Sequence, residues 1–166
     1  MTSSAIRSRL ETQGFLGLDD PTLDELAPWL RWSPVVCTFF MVLGVVTRSP
    51  VVLWGLAGIA FLGALLPFHP FDLVYNHGAR YLTGTRPLPH HGPQRRFACG
   101  LASAWLVATG WAFQVGADAL GYVLGVPLAL VAALVSITHI CIPSMIYGAL
   151  FRRRALAEAT EQQVSP

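Results

Sequence analysis

Apolar and polar residues in this chain separate into blocks rather than alternating within each helical turn. Four stretches, 28–47, 50–67, 97–115 and 120–151, carry almost no ionisable side chain, and the charges collect between and beyond them. A hydrocarbon core of about 30 Å takes roughly 20 helical residues, so blocks of this length are suited to crossing a bilayer. The pattern predicts an all-α polytopic membrane protein with four transmembrane helices arranged as two hairpins, plus a short N-terminal interfacial helix. The division that follows is a cytoplasmic segment 1–27, a transmembrane domain 28–151 with a cytoplasmic loop at 68–96, and a cytoplasmic tail 152–166.

Two blocks are irregular. The first must either include Trp29, Arg31 and Trp32 as interfacial anchors or be short. The fourth would extend about 48 Å as one helix. Pro127 and Pro143 are therefore expected to divide it, with a kink near the first and a broken or tilted end near the second. Arg48-Ser49-Pro50 and Gly116-Ala117-Asp118 supply tight turns within the hairpins. Ahead of the first block, Asp19-Asp20-Pro21 reads as a helix start, and Leu23, Leu26 and Leu30 follow at helical spacing. That is the pattern of a short amphipathic helix lying on the membrane surface.

Composition argues against a soluble helical domain: 54% of residues are hydrophobic, 12% are charged, and the mean hydropathy is +0.53. Residues 1–28 are polar and carry Glu11, Asp19, Asp20, Asp24 and Glu25, so the first helix is expected to be its own insertion signal. All 11 basic residues are arginines. A four-span arrangement puts ten of them on one side (Arg7, Arg9, Arg31, Arg80, Arg86, Arg95, Arg96, Arg152, Arg153 and Arg154) and only Arg48 on the other. Positive residues stay inside, which predicts both termini in the cytoplasm. The net charge of +2 reflects this bias. No basic face is interleaved with aromatics, so no nucleic-acid partner is expected. Arg152-Arg153-Arg154 reads as a stop-transfer anchor with affinity for anionic lipid headgroups.

Candidate chemistry is sparse. The segment from Phe68 to Arg96 gathers His69, His77, His90 and His91 with Asp72, Tyr75 and Tyr81. Its first half, Phe71 to Leu82, is expected to be a short interfacial helix, and the Gly- and Pro-rich second half an irregular loop. His90-His91 lacks a third ligand at helical or turn spacing, which leaves a zinc site unsupported. His139 within one apolar block and His69 at the end of another are candidate axial ligands for a haem or chlorophyll-type pigment. A hydrogen-bonded packing role is the plainer reading of both.

Cys37, Cys99 and Cys141 form no CxxC, and a small buried hydrophobe is the default for each. Gly121 and Gly125 have the small-x-x-x-small spacing, and Trp54, Trp105 and Trp111 add aromatic knobs. These residues suit packing within the bundle, or docking against a larger membrane complex with lipid, quinone or pigment on the aromatics. The hairpins also read as distant parallel repeats. Each has a cysteine near the start of its first helix, and each second helix ends in a proline followed by a tyrosine, Pro70 to Tyr75 and Pro143 to Tyr147.

The second half resembles a bacterial integral-membrane family, domain of unknown function 4395. Arg96-Phe97-Ala98-Cys99 corresponds to the element that opens the family's hairpin. Ile140-Cys141-Ile142-Pro143-Ser144-Met145-Ile146-Tyr147 corresponds to its closing Phe-Cys-Leu-Gly-Cys-x-x-Tyr. The resemblance implies a multi-pass protein of the bacterial inner membrane. It also implies a cysteine pair able to cycle between dithiol and disulfide, but here Ser144 stands at the second cysteine and Pro143 at the glycine. A serine hydroxyl cannot resolve a disulfide.

Two function classes follow. The first is a non-catalytic accessory subunit of a larger membrane complex of respiratory or photosynthetic type. The second is a membrane thiol or sulfur-redox protein using Cys141 with Cys99 or with a soluble thioredoxin-like partner.

Overall fold

A computed structural model describes residues 4–15 and 18–151. Among the described residues every regular element is helical. The order is α1 (Ser4–Thr12), α2 (Asp20–Leu26), a 3-10 turn (Trp29–Arg31), α3 (Trp32–Val46), α4 (Pro50–Leu65), α5 (Pro70–Val74), a π-helical turn (Tyr75–Ala79), α6 (Arg80–Thr83), α7 (Pro93–Gln114) and α8 (Asp118–Thr138). A last helix, α9 (Ile142–Phe151), follows a short break.

Four of these helices form a bundle. α3 packs on α4, α4 on α7, α7 on α8 and α8 back on α3, a closed ring in which short turns join α3 to α4 and α7 to α8. Trp29–Val46 and Asp118–Thr138 are long and apolar enough to cross a membrane. A third span is added if α4 and the Pro70–Thr83 segment, bent by 85° at 66–69, are counted together. The outward faces are strongly apolar, with Phe39 63%, Val51 77% and Leu130 66% exposed. In water, contiguous apolar surface on this scale would be an aggregation liability, whereas lipid tolerates it. The chain is an all-helical membrane protein.

The bundle interior is built from Met41, Val45, Leu53, Leu56, Leu106 and Phe113. A Cβ on Gly125 would lie 2.7 Å from Val45 Cγ2, and one on Gly121 would lie 2.5 Å from the Phe113 ring. The small-residue spacing therefore serves close packing within this chain. Trp54 and Trp105 are also engaged internally, their indole N–H groups donating to the carbonyls of Val107 (3.3 Å) and Leu124 (3.1 Å). Among the described residues Trp111 has no such tie, and it is 62% exposed.

A second cluster caps one end of the bundle. Leu10, Phe15, Leu23, Leu26, Leu30 and Leu88 surround a fully buried Tyr75, whose ring lies between those of Trp29 (5.2 Å) and Trp32 (6.0 Å). α2 begins at Asp19 as N-cap with Pro21 in its first turn. Its leucines, which their spacing alone assigned to lipid, pack instead against protein. The covering element is α1, which the polar N-terminus did not announce because only Ile6 and Leu10 mark its apolar stripe.

α8 continues through Pro127 and ends at Thr138, ahead of Pro143. The stop is made by His139, which takes a left-handed conformation (φ 58°). Pro143 instead sits in the first turn of α9, where a missing N–H costs nothing.

Candidate functional site

Each hairpin breaks just after its second bundle helix, after Leu65 in one and after Thr138 in the other, and each break carries a buried histidine. At the first, His69 caps α5. The Phe71 N–H donates to Nδ1 (3.3 Å), while the His69 N–H donates to Asp72 Oδ2 (3.4 Å), forming a reciprocal capping box. Because Nδ1 accepts, the proton of the neutral ring resides on Nε2. That nitrogen lies 3.7 Å from Cys37 Sγ, so the imidazole presents its N–H to the sulfur. Gly63 makes room for this arrangement: a Cβ there would come within 2.9 Å of His69 Cδ2 and 3.4 Å of Cys99 Sγ.

At the second break, the left-handed backbone of His139 costs about 1–2 kcal/mol and persists because its surroundings hold it. Arg31 Nε–H donates to His139 Nε2 (2.7 Å), Gln13 Nε2 donates to its carbonyl (2.7 Å), and Arg9 donates to the Thr138 carbonyl (2.9 Å). Two of these three partners come from the N-terminal segment. Burial, reinforced by the guanidiniums of Arg31, Arg9 and Arg95, pulls His139 down to about 4 and keeps it neutral. His91, in the loop before α7, is pulled down to about 3 by burial and by Arg95, His69, Arg96 and His90. Its Nε2 pairs with the Gly63 carbonyl at 3.2 Å.

Cys141 opens α9, and fully buried Ser144 lies one turn on. Ser144 Oγ is 3.1 Å from Cys141 Sγ and 3.4 Å from the Gln94 carbonyl, so its one proton is shared between two acceptors. Ser144 is thus in hydrogen-bond contact with Cys141.

These elements enclose a cavity of about 290 Å³. Cys37 from α3, Cys99 from α7 and Cys141 from the second break all line it, together with His69 and Arg95. All three thiols are free. Arg95, in the first turn of α7, is 6% exposed; it donates to Ser33 Oγ, and its guanidinium carbon sits 5.3 Å over the Phe15 ring.

The structure gives His69 and His139 separate surroundings. The nitrogens an axial ligand would use are engaged, His139 Nε2 by Arg31 and His69 on both sides. Among the described residues no three His, Cys, Asp or Glu side chains are grouped to hold a metal ion. Arg152, Arg153 and Arg154 lie outside the described residues. Two cavity residues, Cys37 and Arg95, were not singled out from sequence. Cys37 gave no signal, since His69 is 32 positions away, and Arg95 resembled one more interfacial anchor at the start of an apolar block.

No match was found among curated proteins or among solved structures. The family model for the domain of unknown function 4395 (DUF4395) matches residues 27–152, a range that holds all four bundle helices, both breaks and all three cysteines, and the chain belongs to that family.

Proposed function

We propose that the protein is a membrane-embedded thiol protein whose cysteines carry out sulfur-redox exchange within one cavity. The observation that carries this reading is that Cys37, Cys99 and Cys141, remote in sequence, line one cavity. The exchange is a two-electron step. A thiolate of the cavity attacks a disulfide presented by a thioredoxin-like partner, forming a mixed disulfide and expelling one partner sulfur as thiolate. A second cavity cysteine attacks the mixed disulfide and expels the other. The partner disulfide is reduced to a dithiol, two protein thiols are oxidised to a disulfide, and their two protons pass to the partner's sulfurs. The His69 Nε2–H facing Cys37 Sγ is placed to stabilise negative charge on that sulfur.

This reading includes a four-span topology with both termini in the bacterial cytoplasm. It is supported by the arginine bias and by the 22-residue length of α7 beside the two clearest spans. The cavity then lies toward the cytoplasmic end, where a soluble thiol partner could reach it. The accessory-subunit reading is less well supported, because the bundle already uses Trp54, Trp105, Gly121 and Gly125 for its own packing.

The test is a redox titration of the detergent-purified protein in mixtures of a dithiol and its disulfide, with differential alkylation and mass spectrometry of the three cysteines. Two cysteines are expected to oxidise as a pair with one shared midpoint, and replacing either by serine should leave its partner a free thiol. Three cysteines that stay reduced under every condition, including a strong thiol oxidant, would overturn the proposal. A Ser144→Cys variant supplies a positive control, since the new thiol should form a disulfide with Cys141.

A further inference from the structure

The guanidinium of Arg95 is a buried charge at the wall of the cavity. A guanidinium offers five N–H donors and a full charge. Among the described residues the partners of Arg95 are the Ser33 hydroxyl and the Phe15 ring, and no carboxylate lies within ion-pair distance. Asp72, also buried, directs its carboxylate at the His69 backbone. A buried charge without a counter-ion is among the costliest features a fold can carry, and it is retained where something else neutralises it. Arg95 lines the cavity, so an anion held there would do so.

The rest of the wall narrows what the anion can be. Beyond the cysteines it is apolar, with Met41, Leu56, Leu106 and Val131 among its residues. A small inorganic anion would satisfy Arg95 and leave that space empty, whereas a neutral hydrocarbon would fill the space and leave the charge bare. The way out is also apolar. Leu101 and Trp105 of α7 and Ile142 and Ile146 of α9 line the cavity and are 37–45% exposed on the outer surface, which faces lipid. A volume of about 290 Å³ lies just below the range for small-molecule sites, roughly 300–1,000 Å³, and suits one chain rather than two.

We infer that this cavity takes a single-chain anionic amphiphile from the bilayer, a fatty carboxylate, with its head on Arg95 and its tail leaving between α7 and α9. The inference does not need the thiol chemistry, and its test leaves the cysteines aside.

Trp105 at the mouth supplies the readout. The detergent-purified full chain is titrated with a bromine-labelled stearate, which quenches nearby indoles. Saturable quenching is expected, and Trp105→Phe should remove most of it. The methyl ester of the same acid should bind at least about tenfold more weakly, since it removes the charge that pairs with a buried partner. Arg95→Gln should abolish the difference between acid and ester, and Arg95→Lys, which keeps the charge, should retain part of it. Binding is read with all three thiols held reduced, and the acid–ester preference should be the same whatever the outcome of the redox titration, which separates this inference from the redox proposal. Oleate should compete, while thiosulfate and phosphatidate should not. Equal binding of acid and ester, or an unchanged preference in Arg95→Gln, would overturn the inference. Competition by thiosulfate would replace the fatty carboxylate with an inorganic anion, and competition by phosphatidate would replace it with a two-chain lipid.

Discussion

At one end of the bundle the helices reverse through tight turns at 47–49 and 115–117, while at the other the second helix of each hairpin breaks and continues as a shorter segment. The tight-turn end is closed by small residues under large ones, Gly121 beneath Phe113 and Gly125 against Val45 and Thr109, and by one exposed ion pair, Arg48 with Asp118 at 2.7 Å. The broken end buries His69, Asp72, His91, Arg95, His139 and Ser144. The physical cause of this contrast is the backbone. A continuous helix satisfies its own N–H and C=O groups, whereas each break frees several that must find partners away from water. The His69–Asp72 capping box and the Gln13 and Arg9 bonds to the end of α8 meet that demand. The polar side chains recruited in this way bring chemistry to the cavity that the tight-turn end lacks.

The two ends should respond differently to perturbation. The largest effect is expected from packing at the tight-turn end. Gly121→Leu drives a side chain into the Phe113 ring and should cost about 1–3 kcal/mol or more. Gly55→Ala, at a helical glycine with nothing within 4 Å of the added Cβ, should be neutral or stabilise by up to about 1 kcal/mol. Denaturation in detergent compares them, and equal losses would show that the close contacts at Gly121 do not limit stability.

Acid should act at the broken end. His139 and His91 are held neutral when folded, with values pulled to about 4 and about 3, against about 6.5 for an unhindered histidine. Between these limits the unfolded chain takes up protons that the folded chain refuses. Their contribution is therefore complete above about pH 6.5 and declines as the pH falls toward 4 and 3. The melting temperature should drop by several degrees from pH 7.5 to 5, and His139→Asn should flatten part of that slope. A flat profile in the wild-type chain would remove the role assigned to Arg31 Nε–H on His139.

Gln13→Ala comes next. It strips the His139 carbonyl of a buried donor and should cost about 1–2 kcal/mol, with faster hydrogen exchange around residues 139–141. The smallest change is expected from Arg48→Ala. Its exposed ion pair should contribute about 0.2–1 kcal/mol, an effect that vanishes at high salt. A larger loss would mean that the tight-turn end also depends on electrostatics.

Much of the architecture was legible from hydropathy. The apolar blocks located the bundle helices, Pro50 and Pro93 stand at the first positions of α4 and α7, and Asp19-Asp20-Pro21 marked the start of α2. These are local signals, each decided by lipid compatibility, a missing N–H or a cap within one turn. α1 was less visible because only two large apolar residues in nine make a weak stripe, and its burial depends on an interior formed by Tyr75 and Leu88, far along the chain. The end of α8 was assigned to Pro143, yet the residue that stops the helix is His139, whose left-handed backbone carries no sequence mark and is held by Gln13 and Arg31.

By itself, then, the sequence determined that this chain is helical and membrane-embedded, because hydropathy and proline act over a single turn or a single span. Only the tertiary structure decided that Cys37, Cys99, Cys141, His69 and Arg95 share one cavity. Their meeting depends on where α4 and α8 break and on glycines small enough to let side chains through, and those are properties of packed helices rather than of any one stretch of residues.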